Sequence, residues 1–168
     1  SESGRSNGMY FDKKGYLITC ADMDNQLWQF DNEGNHKVIY EDTMNAHNGP
    51  NDLWIDAKNG IYFTDPLYVR NYWKRDSISK RNGKNVYYLS SDRKSITTVD
   101  DNLVQPNGIV GTPDGKKLYV ADIGDSKTYV YDIQKDATLT NRKLFCEMGS
   151  DGMTVDNQGN VYLTGNGV

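Results

Sequence analysis

A short phrase recurs four times along this chain. It reads Asn7-Gly-Met-Tyr-Phe-Asp12, Asn51-Asp-Leu-Trp-Ile-Asp56, Asn107-Gly-Ile-Val-Gly-Thr-Pro-Asp114 and Asp151-Gly-Met-Thr-Val-Asp156. A turn carrying Gly15, Gly60, Gly115 or Gly159 follows each copy, and an apolar segment follows each turn. Self-similarity at a period of this order restricts a chain to solenoids and propellers, because each small unit must stack on its neighbours to bury its apolar faces. One polar residue, Asn or Asp, holds the same place in every copy, so symmetry brings those side chains towards one point.

Within the copies the pattern predicts strands at 8–11, 16–20, 26–30 and 37–40, then at 51–56, 60–65, 85–90 and 95–100. A third set follows at 107–111, 117–122, 128–132 and 139–145, and a fourth unit begins at Asp151 with two strands. The separators are rich in Asp, Asn and Gly, which supply positive φ and local side-chain hydrogen bonds. Four antiparallel strands in such a unit make the blade of a β-propeller arranged around a central channel. The expectation is an all-β chain, a single propeller portion with blades at about 7–50, 51–106 and 107–150 and a partial blade at 151–168. Propellers carry about 4–8 blades, so roughly three and a half blades read as an interior portion of a larger propeller. Completion by missing segments, or self-association with a partner chain, would cover the open strand edges.

Composition fits short strands better than helices: 36% hydrophobic residues, 12 Tyr and 16 Gly in 168 residues. The net charge of −4 argues against nucleic acid as a partner. No apolar run reaches the roughly 18 residues of a membrane-spanning helix. Cys20 and Cys146 read as buried free thiols, because two cysteines make no disulfide framework. The longest insertion, 66–84, carries Arg70, Lys74, Arg75, Lys80, Arg81 and Lys84 against Asp76 alone, with Tyr68, Tyr72 and Trp73. It reads either as a rim supplying aromatic and cationic contacts or as a solvated loop.

Taken singly, Asn-Gly and Asp-Gly are turn dipeptides. The fourfold register, and Asn51-Asp52 where the Gly is replaced, ask for more than a turn. Asn7, Asn51, Asn107 and Asp151 around one axis would offer amide and carboxylate oxygens, the hard donors that calcium takes. Zinc would ask for Cys and His at ligand spacing, which are absent here. Magnesium suits carbonyl-rich sites less well.

Longer stretches carry a family resemblance. Asn48-Gly-Pro-Asn-Asp-Leu-Trp-Ile-Asp56 with Ile61-Tyr-Phe-Thr-Asp-Pro66 resembles a gluconolactonase segment. So do Gln105-Pro-Asn-Gly-Ile109 with Thr112-Pro-Asp-Gly-Lys-Lys-Leu-Tyr-Val-Ala-Asp122, and Ser150-Asp-Gly-Met-Thr-Val-Asp156 with Gly159-Asn-Val-Tyr162. Ser6-Asn-Gly-Met9 with Gly15-Tyr-Leu-Ile-Thr-Cys-Ala-Asp22 fits the preceding repeat. The family is the SMP-30, gluconolactonase and regucalcin-like superfamily, which also holds diisopropyl-fluorophosphatase, and its fold is a six-bladed propeller. The resemblance implies that Asn51, Asn107 and Asp151 bind a catalytic divalent metal, usually calcium. It implies that Asp151 is also the general base or nucleophile, and that Asp52 orients Asn51 from behind. Asn7 would line the channel or touch substrate. The family's first-blade Glu, within a Glu-Gly-Pro-type phrase, has no counterpart here, and Glu2 is not assigned.

The chemistry implied is opening of a sugar lactone, a small-molecule substrate, with the metal as Lewis acid. His47 is a candidate for contacting a sugar hydroxyl or relaying a proton, against the plainer reading of an exposed loop histidine, and His36 sits in a turn. Tyr68, Tyr72 and Trp73 are candidates for stacking on a sugar ring, whereas Trp28 and Trp54 read as blade packing. Competing readings are a phosphotriesterase-like hydrolase on the same site and a non-enzymatic propeller that binds calcium or a protein.

Overall fold

The structure, a computed structural model, describes residues 4–43, 47–73 and 83–165. Its first sheet runs β1 (Ser6–Phe11), β2 (Leu17–Ala21), β3 (Gln26–Phe30) and β4 (His36–Glu41) in that order, all antiparallel. The second is β5 (Leu53–Ile55), β6 (Ile61–Asp65), β7 (Asn85–Leu89) and β8 (Ile96–Asp100). The third is β9 (Pro106–Gly111), β10 (Lys117–Asp122), β11 (Lys127–Ile133) and β12 (Leu139–Cys146), and β13 (Met153–Val155) pairs with β14 (Val161–Leu163). Apart from one 3-10 turn at Asp22–Asp24, the described residues hold no helix, and none is therefore long and apolar enough to cross a membrane.

Aspartates write the turns. Asp12 Oδ1 accepts from the Lys14 and Tyr16 amides at 2.8 and 2.9 Å, and Asp56 Oδ1 does the same for Lys58 and Gly60 at 2.8 Å each. Asp156 Oδ1 accepts from the Gln158 and Asn160 amides. Such Asx closures fix where one strand stops and the next begins. Gly15, Gly115 and Gly159 take the left-handed backbone, with φ of +82°, +68° and +87°. The second blade departs from the expected pattern: Asn59 takes the left-handed residue's place at φ 69°, and Gly60 does not. Gly60 is needed for space instead, since a Cβ there would lie 1.9 Å from the Tyr88 hydroxyl.

Period-2 alternation explains how the middle sheet is buried on both faces. Leu53, Ile55, Ile61 and Phe63 pack with Ile18, Cys20 and Leu27 of the first sheet. Their neighbours in sequence, Trp54 and Tyr62, turn to the third sheet and meet Ile109, Val110, Leu118 and Val120. Each such side chain contributes about 1.5–3 kcal/mol by leaving water. Trp54 lies against Gly111, where a Cβ would come within 2.4 Å of the indole. Trp28 stacks on His36 with centroids 4.0 Å apart and donates its Nε1–H to Gln26. Both tryptophans therefore pack, as expected. Cys20 is fully buried, while Cys146 is only half-buried, and both are free.

Candidate metal and substrate site

In the first three sheets the recurring dipeptide is a β-bulge, not a turn. Against β2 the register of β1 slips between Ser6 and Met9, and β9 slips against β10 between Pro106 and Ile109. In the second sheet the Asn51 amide donates to the Thr64 carbonyl while the Thr64 amide donates to the Asp52 carbonyl, both at 2.9 Å, so two residues face one. In the fourth the register of β13 on β14 runs on without a slip: the Thr164 amide donates to the Gly152 carbonyl and the Gly152 amide to Thr164 Oγ1. A bulge bends its strand and re-aims the side chain it carries. Gly8 and Gly108 do not take positive φ. At Gly8 the demand is close approach, because a Cβ would lie 2.5 Å from Asp52 Cα and 2.7 Å from the Asn51 carbonyl oxygen.

The bulges are tied sheet to sheet. The Gly8 amide donates to the Asn51 carbonyl at 2.7 Å, Thr64 Oγ1 donates to the Asn107 carbonyl at 2.7 Å, and the Gly108 amide donates to the Ser150 carbonyl at 3.1 Å. These bonds put the openings of successive inner strands side by side.

Asn107, 1% exposed, donates from Nδ2 to the Asp151 carboxylate at 3.0 Å and to the Tyr68 hydroxyl at 2.9 Å. Its Oδ1 is buried with no hydrogen-bond partner among the described residues. An unsatisfied buried carbonyl costs about 1–3 kcal/mol, and this one sits beside a carboxylate. An amide oxygen next to a carboxylate is the kind of donor set that a hard cation takes. Asn51, 6% exposed, joins the group through its main chain. Among the described residues no three His, Cys, Asp or Glu side chains come together, so a cation here would depend on amide oxygens with Asp151. Glu2 lies outside the described residues.

Asp52 acts across the sheets. Its carboxylate accepts from the Leu53 amide at 2.9 Å and from the Ile109 amide of β9 at 3.0 Å, so it holds the third sheet rather than the Asn51 side chain. Desolvation pushes its pKa up to about 6; the two amide bonds oppose that rise and the charge of Asp151 adds to it.

Asn7 is exposed at the first bulge, one hydrogen-bonded residue away from Asn51. Tyr68 reaches Asn107 directly, with the Arg70 guanidinium 5.3 Å from its ring centroid. Gln105 Nε2 donates to the Leu67 carbonyl and anchors this loop. Tyr72 and Trp73 are engaged elsewhere: both donate to Asp22 Oδ2, at 2.8 and 3.0 Å, and Arg5 lies over the Tyr72 ring. Their polar atoms tie the loop to the first sheet, which a sequence cannot show because the partner is 50 residues away. Lys74, Arg75, Asp76, Lys80 and Arg81 lie outside the described residues.

His47 is not an exposed loop histidine. It is 4% exposed, with Nε2 2.6 Å from the Tyr40 hydroxyl and its ring edge-on to Tyr87 at 4.3 Å. Its amide donates to Asp42, and its carbonyl accepts from Asn25. These contacts place it in an aromatic nest of the first two sheets, with Tyr40, Phe63 and Tyr87 around its ring. A residue that sequence reading passed over is Thr64, fully buried. The available signal was that Thr precedes Asp65 where Ala21 and Ala121 precede Asp22 and Asp122. Beside Asp151, an open hollow of about 660 Å³ runs between Ile123, Met148, Ser150 and Thr164; Asn51, Asn107 and Tyr68 do not line it.

All of this chain, residues 1–168, matches the SMP-30/gluconolactonase/LRE-like region. The chain belongs to this family. It is 28% identical to a gluconolactonase of Zymomonas mobilis subsp. mobilis over 177 residues, covering 96% of this chain and 49% of the relative. It is also 28% identical to the lactonase drp35 of Staphylococcus saprophyticus subsp. saprophyticus, covering 90% and 47%. Among solved structures, a gluconolactonase from Xanthomonas campestris superposes with a TM-score of 0.82 at 25% identity, covering 94% of this chain and 55% of that one. The calcium-binding protein regucalcin from Agrobacterium tumefaciens shares the fold, with a TM-score of 0.69 at 16% identity over 94% of this chain and 52% of that one. This SMP-30/gluconolactonase family member spans about half the length of the relatives it matches, and its sheets are propeller blades.

Proposed function

We propose that this protein is a calcium-dependent hydrolase that opens a sugar lactone. Asn51, Asn107 and Asp151 would hold the cation, and Asp151 would serve as general base. The observation that carries the reading is the buried, unpartnered Oδ1 of Asn107 beside the Asp151 carboxylate. Two relatives named gluconolactonase and lactonase support the substrate class.

A bound divalent cation would supply Lewis acidity for the lactone carbonyl. Asp151, exposed to the hollow, is placed to take a proton from water as its oxygen bonds to the carbonyl carbon. When the ring C–O bond breaks, the same proton goes to the departing ring oxygen, which leaves a hydroxy acid. Asn107 Nδ2 fixes the carboxylate's direction, so the strength of this base lies in its position. Tyr68 accepts from Asn107 and keeps its own hydroxyl hydrogen to donate to a substrate oxygen. Asn7, at the neighbouring bulge, is a further candidate for substrate contact.

The test is hydrolysis of glucono-1,5-lactone in a pH-stat, with EDTA and then with calcium restored, corrected for spontaneous opening. Turnover that disappears with chelator, returns with calcium and is absent in Asp151→Asn supports the reading. Turnover indifferent to both chelator and Asp151 would refute it.

A further inference from the structure

Among the hydrogen bonds that join one inner-strand opening to the next, those of Gly8 and Gly108 come from backbone amides of glycine. The second sheet reaches the third through side chains, those of Thr64 and Asp52. Thr64 Oγ1 donates its hydrogen to the Asn107 carbonyl at 2.7 Å and accepts from the Asp52 amide at 3.2 Å. The main chain of the same residue bonds both members of the Asn51-Asp52 bulge, accepting from Asn51 and donating to Asp52. A single fully buried residue therefore touches Asn51, Asp52 and Asn107. The Asp52 carboxylate closes the loop by accepting from the Ile109 amide, two residues beyond Asn107.

Chemistry explains why a hydroxyl is required here. A bulge leaves one amide without a ladder partner. At Gly8 and Gly108 that amide can reach the next sheet's carbonyl because no side chain intervenes. At the second bulge Asp52 replaces glycine, and its amide turns inward. A group that can accept from this amide and donate across the gap must be both donor and acceptor, which a hydroxyl is and an alkyl group is not. The first and third sheets, with Asn-Gly bulges, carry Ala21 and Ala121 at the corresponding place, and the fourth carries Thr164, whose hydroxyl accepts from the Gly152 amide but bridges to no further sheet among the described residues.

We propose that Thr64 is a positioning residue that sets the separation of Asn51 and Asn107, and so the fit of their oxygens to a cation. The proposal rests on the metal-site reading above, but the strut itself does not. Thr64→Val keeps the shape and removes the hydroxyl, leaving the Asp52 amide and the Asn107 carbonyl unmatched. Thr64→Ser keeps the hydroxyl.

The experiment is isothermal titration of wild type, Thr64→Val and Thr64→Ser with calcium, accompanied by amide hydrogen exchange and melting curves for each. Loss of a residue that orients ligands from behind weakens metal binding about 10–100-fold. We expect a loss of that size in Thr64→Val and recovery to within about threefold in Thr64→Ser, the narrow margin following from the retained hydroxyl. Exchange at Asp52 and Ile109 should quicken in the valine variant only. A valine variant that melts lower yet binds calcium as wild type does would reduce Thr64 to packing and overturn the proposal. Should the wild type bind no calcium, the metal reading fails, and exchange decides the strut: quickened exchange at Asp52 and Ile109 in Thr64→Val alone upholds it, and unchanged exchange overturns it.

Discussion

Replacing Asn107 with Asp should reverse the sign of one contact. In the wild type the amide Nδ2 donates to Asp151 Oδ1 at 3.0 Å. The carboxylate of Asn107→Asp would put two negative charges at that separation. Their repulsion is about 1.4 kcal/mol in water and about 5 kcal/mol at an effective dielectric of 20. Asp151 is exposed but position 107 is 1% exposed, so the value in water is a lower bound. Loss of the original hydrogen bond to a charged group adds about 1.5 kcal/mol. The Tyr68 contact survives, because the tyrosine hydroxyl can donate to the new carboxylate. A destabilisation of at least about 3 kcal/mol should lower the melting temperature by about 10 °C or more for a chain of this size. The assay is thermal unfolding in EDTA and again in calcium. In calcium the added carboxylate becomes an extra ligand charge, and the deficit should close. The double variant Asn107→Asp with Asp151→Asn restores an amide facing a carboxylate, and should recover most of the loss in EDTA. A single variant melting within about 2 °C of wild type in EDTA, less than 1 kcal/mol, would refute the contact. Failure of the swap to recover stability would refute the electrostatic explanation.

Three other outcomes follow from the same geometry. Tyr68→Phe should lower the melting temperature by about 3 °C, for the loss of about 1 kcal/mol at the buried Asn107 amide, and lower lactone kcat/KM about tenfold, since a substrate hydrogen bond is lost as well; unaltered kinetics would remove Tyr68 from the site. Gly60→Ala should cost about 2–3 kcal/mol by overpacking against Tyr88, and Tyr88→Ala in the same chain should relieve it, whereas Gly15→Ala, strained at φ +82° in open space, should cost about 1 kcal/mol whatever residue stands at 88. Asp156 is held down to about 2, chiefly by the Asn160 side-chain amide, with the Asn160 and Gln158 backbone amides and the Tyr162 hydroxyl assisting. A depressed carboxylate stabilises the fold above its unfolded value of about 3.9. The contribution of the β13–β14 turn is therefore lost as pH falls through about 2; a carboxyl-carbon NMR titration with its midpoint near 4 would contradict the turn's hydrogen bonding.

What could be read from the sequence is what neighbours along the chain decide. Strand positions follow from period-2 alternation, and turn positions from Asp and Gly chemistry, so β3, β10 and the turn after Asp12 fall where the residues say they should. The recurrence of Asn51, Asn107 and Asp151 in one register was visible for the same reason. Contacts between sheets were not visible. Gly60 reads like the other turn glycines until Tyr88 is seen against it. Asn-Gly reads as a turn until a facing strand makes it a bulge. His47 looks like a loop residue until Tyr40 and Tyr87 close around it. Asp52 reads as a support for Asn51, yet its carboxylate reaches Ile109, 57 positions on. Thr64 is an ordinary strand threonine until its hydroxyl is found between two bulges. Local propensity and patterning repeat with the blade and are written in each copy, whereas the spacing of oxygens around a channel depends on how one sheet's edge meets the next, which only packing decides.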